Sequence, residues 1–449
     1  MVVSSGANGV RGIVNDGMDV ELALQIGKIA GERYSGLVAV AADTRLSGET
    51  LKSAVSAGLM AVGCEVIDLG SMPTPAFQYY VNMHDDVMGG VMVTASHDPP
   101  EFNGVKTVAS NGLEDPFMMD DSVEEIVKTD ARQVPWQKIG EMRDVDGLLD
   151  EYIDAVISNV DTEAISKAGL KVCVDCANGT SFMVVPEILQ RLNVQMVTMN
   201  GSSRGELTGH DSELTESNLE NLGYLTVRTG CDLGVAFDVD ADRCLFVAAD
   251  GSMVPGDKSL AILSRSALSK GKGKVVTTVA TTSAVEDVVK AAGGEIKYAP
   301  VGSANIVKKI MDHEAIIGGE INGGVVFPEH QLCRDAPMAM VKMIECVVKE
   351  GPLKELSDEI PTYVFLEGSV PCKNSSKDLV EEHFRDGERA SNNDTTDGVK
   401  IFFDDGWVLL RPSDTDSVFR VYSQSTNAEL ARSRLDDYLE KVRAFIESN

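Results

Sequence analysis

The amino-acid sequence predicts an α/β fold, with three similar doubly wound α/β domains and a C-terminal α+β domain with an antiparallel sheet. First, short apolar runs alternate with segments of helical periodicity, which favours parallel sheets covered by helices on both faces. Second, this alternation restarts near residues 151 and 251. Third, the pattern changes near residue 362, after which several strands precede one long amphipathic helix. A chain of 449 residues also exceeds one hydrophobic core. The expected domains are 1–150, 151–250, 251–361 and 362–449.

Two periodicities predict the individual elements, since apolar runs of strand length indicate buried strands and apolar residues three and four apart indicate helices. In the first domain they predict strands at 37–42, 64–69 and 89–93, a helix at 49–63 and a turn at 71–75. In the second they predict strands at 171–175, 194–199 and 233–237 and a helix at 184–192. In the third they predict helices at 259–268 and 283–292 and strands at 274–279, 295–299 and 315–318. In the fourth they predict strands at 362–370, 399–403, 407–411 and 419–423, a surface loop at 386–397 and a helix at 427–447.

Charge and composition argue against two classes of partner. Asp and Glu number 70 against 40 Lys and Arg, so the formal net charge is −30, which repels nucleic acid and anionic membranes. A phosphate site on such a chain needs a local cluster of basic groups. No stretch approaches the ~20 apolar residues of a membrane span, and the first residues lack the features of a signal peptide. The eight scattered cysteines suit thiols in a reducing compartment, so we expect a cytoplasmic protein.

A serine follows the predicted strand at 89–93. Ser96 lies in the segment TASHDPP, just beyond the carboxyl end of that strand, where open α/β sheets bind their ligands. His97 is adjacent and Lys106 follows closely, so a hydroxyl, an imidazole and an ammonium can converge. The alternative is an ordinary turn in which the Ser96 hydroxyl bonds only the backbone.

Three carboxylates follow the predicted strand at 233–237. Asp238, Asp240 and Asp242 alternate at the end of that strand, and unpaired carboxylates so close together would repel one another. A hard divalent cation, Mg²⁺ or Ca²⁺, removes this repulsion. The spacing does not fit an EF-hand, because its sixth position would be Arg243 rather than glycine. A solvated acidic turn is the alternative, and the apolar strand before the motif argues against it.

Two later segments have a ligand-binding composition. The segment 318–324, GGEINGG, combines glycines, which admit close backbone approach, with Glu320 and Asn322, which can hydrogen-bond sugar hydroxyls. The segment 411–417, RPSDTDS, with Arg420 nearby, supplies guanidinium groups and hydroxyls suited to phosphate. The alternatives are a plain turn for the first segment and a surface loop for the second, whose aspartates count against an anion site.

Taken in order, these motifs resemble the α-D-phosphohexomutase family, which includes phosphoglucomutases, phosphomannomutases and phosphoglucosamine mutases. The resemblance spans essentially the whole chain, from 5–12 (SGANGVRG) through 43–45 (DTR) and 73–75 (PTP) to the phosphate loop at 411–417. Two parts of the sequence are most similar to archaeal-type phosphoglucosamine mutases. They are the opening segment and the segment 318–324, here called the sugar loop, with the residues that follow it. The resemblance implies four domains around a central cleft, one Mg²⁺ ion and a phosphorylated serine.

Carried over to this sequence, the resemblance implies a role for each motif. Ser96 would carry the phosphoryl group, and its phosphate would join Asp238, Asp240 and Asp242 in binding Mg²⁺. The other implied residues are Arg11, Lys106 and Arg243 near that phosphate, with Lys106 or His97 handling the proton; Glu320 and Asn322 at the sugar hydroxyls; and Arg411, Ser413, Thr415 and Arg420 at the phosphate that is not reacting. The implied reaction interconverts a hexose 6-phosphate and 1-phosphate through a hexose 1,6-bisphosphate, in a monomer or homodimer.

The sequence departs from the family pattern at two places near phosphate. Asp98 stands where the family has asparagine, which puts a carboxylate beside the phosphoserine. The segment 414–417 is DTDS, where the family has Gly-Thr-Glu-Pro. Glycine lets backbone N–H groups face a phosphate, whereas an aspartate adds a repelling charge.

The leading interpretation is a phosphoglucosamine mutase that converts glucosamine 6-phosphate to the 1-phosphate. A phosphomannomutase or phosphoglucomutase is the nearest alternative, because the sugar loop does not resolve the substituent at C2. Two further alternatives are a phosphatase with Asp238 as nucleophile and Asp240 as acid, and a sugar-phosphate-binding homologue whose catalysis the altered phosphate loop has weakened.

Overall fold

The computed structural model describes most of the chain, which divides into two compact units. The first unit comprises Met1–Ser259 and Asn322–Ser357, and the second comprises Leu260–Ile321 and Asp358–Asn449. The described residues are 3–6, 9–115, 126, 128–129, 131–145, 147–203, 205–207, 209–385, 387, 393–413 and 417–448, with side chains described from residue 9 onward.

The first unit begins with a mixed sheet of eight strands. The strands are β1 (Val3–Gly6), β2 (Gly9–Val14), β3 (Gly17–Met18), β4 (Leu37–Ala42), β5 (Glu65–Ser71), β6 (Val87–Val93), β7 (Phe102–Ala109) and β8 (Met142–Asp144). Their order is β1-β2-β7-β6-β4-β5-β8, with β3 beside β2. β4, β5, β6 and β8 are parallel, and β7, β2 and β1 continue the sheet antiparallel. The helices are α1 (Val20–Tyr34), α2 (Gly48–Ala61) and α3 (Thr74–Met83), with a 3₁₀ turn at Trp136–Lys138.

Side-chain alternation along β4 explains why this sheet is covered on both faces. Val38, Val40 and Ala42 pack in one apolar cluster with α1 and α2. Ala39 and Ala41 pack in a second cluster with α3, since successive residues of a strand face opposite sides. All five side chains are buried, so the strand has no polar face.

The second sheet has five strands, β9 (Lys171–Asp175), β10 (Gln195–Met199), β11 (Leu233–Phe237), β12 (Cys244–Ala248) and β13 (Met253–Val254). Their order is β10-β9-β11-β12-β13, with the first three parallel and the last two joined antiparallel. The helices are α4 (Leu149–Ser158), α5 (Thr162–Ala168), α6 (Val185–Arg191) and α7 (Glu220–Thr229), with a 3₁₀ turn at Thr180–Met183. The next helix, α8 (Gly256–Ser269), runs across the boundary between the units.

The second unit contains a parallel set of strands and an antiparallel sheet. The parallel strands are β14 (Lys274–Thr278), β15 (Glu295–Ala299) and β16 (Ile317–Gly319), with β14 between the other two, and their helices are α9 (Ser283–Ala291) and α10 (Ser303–His313). The chain then returns to the first unit for the antiparallel pair β17 (Val325–Phe327) and β18 (Gln331–Arg334), helix α11 (Ala336–Glu350) and most of α12 (Leu353–Asp358).

The C-terminal part of the second unit has the strands β19 (Val364–Pro371), β20 (Asn393–Asp394), β21 (Val399–Phe403), β22 (Gly406–Pro412) and β23 (Val418–Ser425). Their order is β19-β23-β22-β21-β20, antiparallel throughout. The helices are α13 (Asn374–Arg385) and α14 (Ala428–Ser448), and α14 buries Leu435, Tyr438 and Val442 in the core of this sheet.

The predicted fold class is confirmed, with three corrections. The α/β sheets are mixed and not wholly parallel, because short connections such as the one from β6 to β7 permit only an antiparallel neighbour. The predicted turn at 71–75 ends in helix α3, which tolerates Pro75 in its first turn. The predicted loop at 386–397 includes the short strand β20, while residues 386 and 388–392 lie outside the described residues. Among the described helices, none is long and apolar enough to cross a membrane.

Candidate active site

Ser96 follows β6 in a backbone conformation that few residues adopt. Its φ is +50°, in the left-handed region, and the residue is fully buried, so surrounding contacts must offset the local strain. The Ser96 amide donates to Thr94 Oγ1 (2.9 Å), and the Thr94 hydroxyl donates to Asp43 Oδ2 (2.7 Å). The serine is therefore presented by a loop that side-chain hydrogen bonds hold in place.

A buried arginine organises the same loop. Arg45 follows β4, and its guanidinium donates to four backbone carbonyls around the serine. The accepting carbonyls and their distances are Ser96 (2.7 Å), Asp98 (2.6 Å), Pro99 (2.6 Å) and Phe102 (3.0 Å). Its Nε lies 3.2 Å from Asp43 Oδ2, so its charge is balanced inside the protein. Arginine suits this position because its rigid fork carries five N–H donors, whereas lysine has three on one atom.

Asp238, Asp240 and Asp242 come together beyond the end of β11. All three are buried, and one carboxylate oxygen of each lies within 4.8 Å of the others. The Oδ1 atoms of Asp240 and Asp242 have no hydrogen-bond partner among the described residues. A buried acceptor without a partner is costly, and a bound cation would satisfy both oxygens.

Two residues from the first domain, one on a strand and one on a helix, reach these carboxylates. The Lys106 ammonium on β7 donates to Asp240 Oδ2 (2.8 Å) and Asp242 Oδ2 (3.3 Å). Thr74, the first residue of α3, donates its hydroxyl to Asp240 Oδ2 (2.8 Å) and its amide to the Asp240 carbonyl (2.9 Å). The carboxylate loop, which follows the second sheet, is therefore held by β7 and α3 of the first domain.

Two arginines complete the charge balance of the cluster. Arg243 Nε lies 3.4 Å from Asp238 Oδ2, and Arg334, at the end of β18, pairs with Asp242. Together with Lys106 they place three positive charges against three carboxylates. Burying an unpaired ion costs on the order of several kcal/mol, so this balance allows the cluster to be buried before an ion binds.

Burial and neighbouring charges affect the three carboxyl groups differently. Burial, followed by the charges of Asp242 and Asp240, raises the pKa of Asp238 well above its ordinary value. Burial and the charge of Asp242 also raise the pKa of Asp240, but Lys106 outweighs both and the net pKa is lowered. Burial opposes ionisation of Asp242 as well, but nearby cations, Arg334 first, hold its pKa far below the usual range. A divalent cation would favour the ionised form of all three.

The donor set fits a hard divalent cation. Mg²⁺ and Ca²⁺ bind carboxylate oxygens, and two of the three aspartates have an oxygen to spare. The Ser96 hydroxyl donates to Asp238 Oδ2 at 2.8 Å, so the serine oxygen lies beside the three aspartates. Within the part of the chain that the structure describes, this is the one group of three such ligands close enough to share an ion.

The Ser96 hydroxyl has two further neighbours. Arg243 Nη2 donates to Ser96 Oγ (3.2 Å), and His97 Nδ1 lies 3.5 Å from the same oxygen. Burial, followed by the charge of Arg243, lowers the pKa of His97 far below its ordinary value, so the ring is neutral. Burial also lowers the pKa of Lys106, but the carboxylates outweigh it and the net pKa is raised, so Lys106 stays an ammonium. Of these two residues, only His97 is unprotonated, and its lowered pKa makes it a weak base that can pass a proton on but not hold one.

Arg11, on β2, binds the loop that carries the serine. Its Nη1 donates to the Ala95 carbonyl and to Asp98 Oδ2, both at 3.1 Å. The carboxylate that Asp98 introduces is thus paired with a guanidinium. The departure from the family pattern at this position therefore adds no unpaired charge next to the serine.

The two residues expected at the sugar are engaged with backbone amides. In the second unit, Glu320 Oε1 accepts from the Gly302 amide (3.1 Å). In the first unit, Asn322 Oδ1 accepts from the Gly324 amide (3.1 Å). Their roles at sugar hydroxyls remain predictions.

The glycines after Asn322 are explained by packing within the protein. A Cβ at Gly323 would lie 2.3 Å from the Cys244 carbonyl oxygen, and one at Gly324 would lie 2.5 Å from Arg334 Cδ. Gly323 also has a φ of +91°, which disfavours other residues. Packing within the protein therefore accounts for these two glycines without a ligand, and the expectation that they admit a ligand stays a prediction.

The expected phosphate site of the second unit contains two arginines side by side. Arg411 and Arg420 are directly opposite each other on β22 and β23, an arrangement in which like charges destabilise a sheet. Asp397 lies 3.0 Å from Arg411 Nε and Glu367 lies 2.6 Å from Arg420 Nη1, which offsets part of the repulsion. A bound phosphate would offset more of it.

The loop between these strands is described only at its ends. Ser413 is buried, its amide donates to the Val418 carbonyl (3.1 Å), and its own carbonyl accepts from Lys377. Asp414, Thr415 and Asp416, where the sequence departs from the family pattern, lie outside the described residues. The expected role of this loop therefore stays a prediction.

Four family descriptions match successive parts of the chain. Residues 3–134, 150–251 and 255–363 match the alpha/beta/alpha domains I, II and III of phosphoglucomutase/phosphomannomutase, and residues 367–441 match its C-terminal domain. A phosphoglucomutase/phosphomannomutase of Thermococcus kodakarensis is 38% identical over 441 residues, 96% of each chain. The chain belongs to the phosphoglucomutase/phosphomannomutase family.

Two further comparisons agree with this family. A protein of Methanopyrus kandleri named "probable phosphoglucosamine mutase" is 36% identical over 449 residues, 98% of each chain. The crystal structure of a phosphoglucomutase/phosphomannomutase family protein from Burkholderia thailandensis matches with a TM-score of 0.86 and 24% identity, over 98% of this chain and 97% of that one, which shows the fold. Members of the family are phosphohexomutases, isomerases that act by phosphoryl transfer, so the predicted enzyme class is confirmed.

The sequence pattern gave no role to several residues that build this candidate site. Arg45, Thr74 and Arg334 lie in segments that carried the family resemblance, and each is a polar residue at a strand end or helix start. That position is a signal that could have identified them. Lys377 lies in a polar stretch with no such signal, and only the folded chain brings it to Ser413.

Proposed function

We propose that this protein is a magnesium-dependent phosphoglucosamine mutase that interconverts glucosamine 6-phosphate and glucosamine 1-phosphate. The observation that carries the proposal is the Ser96 hydroxyl, which lies 2.8 Å from a buried aspartate cluster with ligand oxygens to spare. A serine beside a divalent-cation site suits phosphoryl transfer, which depends on positioning and on stabilising negative charge.

Ser96 carries the phosphoryl group in both halves of the proposed reaction. In the first half, the bond from phosphorus to Ser96 Oγ breaks while the 1-hydroxyl oxygen of the sugar 6-phosphate bonds to phosphorus, which gives the 1,6-bisphosphate. The proton of that hydroxyl is relayed by His97, the neutral ring beside Ser96 Oγ, to the departing serine oxygen, so that Ser96 leaves as a hydroxyl. In the second half the bisphosphate turns round and its 6-phosphoryl group returns to Ser96 Oγ, while the serine proton passes by the same route to O6 as the bond from phosphorus to O6 breaks.

The remaining residues bind the substrate and neutralise the negative charge of its phosphate groups. When bound at Asp238, Asp240 and Asp242, Mg²⁺ supplies positive charge next to the transferring group. The chain's own proposed contacts are Arg11, Lys106 and Arg243 at that group, Glu320 and Asn322 at sugar hydroxyls, and Arg411, Ser413, Thr415 and Arg420 at the other phosphate.

The choice of sugar is supported by relatives. Several are named "probable phosphoglucosamine mutase", at 32–36% identity, as in Methanopyrus kandleri and Methanobrevibacter smithii. The Thermococcus kodakarensis relative, at 38% identity, is named for glucose and mannose phosphates instead. A phosphoglucomutase or phosphomannomutase is therefore the second candidate.

The first experiment measures phosphorylation of the serine. Purified protein is incubated with glucose 1,6-bisphosphate and Mg²⁺, and its intact mass is recorded beside that of Ser96→Ala. We expect one added phosphate in the wild type and none in the variant, with activity lost when EDTA removes the metal. Phosphate release to water by an active Ser96→Ala variant would instead indicate the aspartate phosphatase, and absence of any phosphoprotein would favour a binding protein.

The second experiment decides the sugar. Rates of 1-phosphate formation are compared for glucosamine, glucose and mannose 6-phosphates at equal Mg²⁺ and activating bisphosphate. We expect kcat/KM to be highest for glucosamine 6-phosphate. A higher value for either neutral sugar supports the second candidate, and equal values for all three contradict a specific assignment.

The proposal extends to the setting of the enzyme. We propose hexose 1,6-bisphosphate as activator, a monomer or homodimer as the assembly, and the cytoplasm as location. The last is supported by eight cysteines that are all buried thiols, because thiols persist in a reducing compartment.

A further inference from the structure

Glu213 places a carboxylate on the side of His97 that faces away from the serine. Glu213 Oε2 lies 3.3 Å from His97 Nε2, while His97 Nδ1 lies 3.5 Å from Ser96 Oγ. A hydroxyl, an imidazole and a carboxylate therefore stand in a row. Glu213 comes from the loop between β10 and α7, far from the serine in sequence, and no motif of the sequence includes it.

Arg243 determines which nitrogen of the ring carries the hydrogen. Its Nη2 contacts His97 Nδ1, and a guanidinium can only donate. Nδ1 is therefore the acceptor, and the hydrogen of the neutral ring lies on Nε2, toward Glu213. Glu213 Oε1 also lies 3.8 Å from Arg243 Nη1, so one carboxylate faces both groups that flank the serine hydroxyl.

The backbone around Glu213 is braced. Its carbonyl accepts from the Thr215 amide (3.0 Å) and from Asn218 Nδ2 (2.8 Å). The preceding residue, Ser212, donates its hydroxyl to the Asp98 carbonyl (2.8 Å) in the loop that carries the serine. The carboxylate is thus fixed to the loop on which it acts, although its side chain is 48% exposed.

We propose that Glu213 is a positioning residue for phosphoryl transfer: it holds the His97 ring with Nδ1 toward Ser96 Oγ and keeps Arg243 beside the same oxygen. It acts through these two residues and has no contact with the sugar. The inference rests on the proposed function, in which Ser96 carries the phosphoryl group. The competing role for a half-exposed carboxylate is recognition of the ammonium group of the substrate, and the two roles predict different kinetics.

The kinetic test compares Glu213→Ala, Glu213→Gln and the control Glu216→Ala on all three hexose 6-phosphates. Glu216 is exposed, lies in the same loop and has the same charge, so the control removes charge without touching His97. For Glu213→Ala we expect kcat to fall about tenfold to a hundredfold on every sugar, as for a misplaced catalytic group, with KM changed less than about threefold. Glu213→Gln keeps an acceptor for Nε2–H, so we expect it to recover part of the rate.

Three kinetic outcomes would overturn the proposal. The first is equal activity in Glu213→Ala and Glu216→Ala. The second is a loss confined to KM for glucosamine 6-phosphate, which would assign Glu213 to the substrate. The third is a Glu213→Gln variant as slow as Glu213→Ala, which would show that a hydrogen-bond acceptor for His97 Nε2–H does not affect the rate.

A spectroscopic test does not depend on turnover. The six histidines are followed by ¹⁵N NMR, with the His97 ring assigned from His97→Gln. We expect the Nε2–H form alone in the wild type and in Glu216→Ala, and a mixture of both forms in Glu213→Ala. Unchanged ring signals in Glu213→Ala would overturn the proposal. A wild type that converts no hexose phosphate would defeat the proposed function, while these spectra would still decide the position of the ring.

Discussion

Two lysines of this protein are almost equally buried and have opposite pKa shifts. Lys106 in the first unit is 3% exposed, and Lys400 in the second unit is 4% exposed. Burial lowers the pKa of both, but Asp240 and Asp242 raise that of Lys106 above its ordinary value, whereas the pKa of Lys400 falls to about 7. Partners, and not burial alone, therefore decide whether a buried lysine keeps its charge.

The surroundings of Lys400 show what it does instead. Its ammonium donates to the Val279 carbonyl (2.7 Å) and lies 3.9 Å from the centre of the Trp407 ring, and no described carboxylate pairs with it. Trp407 and Val279 belong to one apolar cluster of the second unit. Lys400 thus serves packing, while Lys106 neutralises the three aspartates of the candidate metal site.

The largest effect that tests this contrast is expected for Lys106→Met. Removing the ammonium leaves two buried carboxylates short of a positive charge and removes a cation from the serine site, so we expect kcat to fall about a thousandfold. The measurement is mutase activity at saturating Mg²⁺.

The matched control is Lys52→Met. Lys52 is equally buried, at 3% exposed, and pairs with Asp68 at 2.8 Å. We expect this variant to lose stability but to keep kcat within about threefold. Equal losses of kcat in the two variants would show that burial of the charge, and not its place beside the serine, accounts for the effect.

A second, smaller effect is expected for Arg45→Lys, which keeps the charge and removes the fork. Lysine cannot reach all four carbonyls of the serine loop, so we expect kcat to fall about tenfold to a hundredfold. The readouts are kcat and the fraction of Ser96 that a bisphosphate phosphorylates.

Arg33→Lys provides the comparison, because Arg33 makes a two-bond pair with Asp115 and its side chain is 51% exposed. Its activity should match the wild type. If Arg45→Lys loses thermal stability but neither activity nor phosphorylation, the role of Arg45 in presenting the serine is refuted.

The smallest expected effect is the pH dependence of Lys400→Met. The pKa of Lys400 is about 7 when folded against 10.5 ordinarily, so between these values the unfolded state binds more protons and stability rises with pH. The cost of burying Lys400 is thus complete below pH 7 and disappears as the pH approaches 10.5. We expect Lys400→Met to raise Tm by a few degrees at pH 6 and less at pH 10, since about 1 kcal/mol shifts Tm by roughly 2–4 °C.

Thermal unfolding of wild type and variant at pH 6, 8 and 10 measures this difference. The lost bond to Val279 reduces the gain equally at each pH. Lys441→Met, at a partly exposed lysine, should show no such trend. A gain in Tm that does not depend on pH would mean that Lys400 is charged throughout.

Local pattern was enough to predict the centre of the candidate site. Ser96 and Asp238 each follow an apolar strand, and in α/β sheets ligands bind beyond the carboxyl ends of such strands. The two strands lie in different sheets, so their meeting depends on how those sheets pack. The position of Arg334 at a strand end was a signal, but the pattern could not indicate its partner, Asp242, which lies 92 residues away in the sequence. Nor could it indicate Glu213, because its loop has no periodicity and approaches the serine only through the packing of the first two sheets.

The sequence pattern is ambiguous where one residue type serves two purposes. Glycines in the segment 318–324 predict close approach of a ligand, but a Cβ at 323 would also meet the Cys244 backbone, and one at 324 would meet the Arg334 side chain. Likewise, the prolines on either side of Thr74 predicted a turn. A helix tolerates a proline in its first turn, and Thr74 is the first residue of α3. Composition alone does not separate these uses.

The late position of Arg334 in the chain has a consequence for biosynthesis. It is made 92 residues after Asp242, and at about 5–20 residues per second the ribosome needs roughly 5 to 20 seconds for that stretch. Throughout this interval the growing chain has three carboxylates but only two of their three cations. A cluster that folds within this interval is one positive charge short of the finished one, so its electrostatic attraction for a divalent cation is stronger then than after synthesis ends.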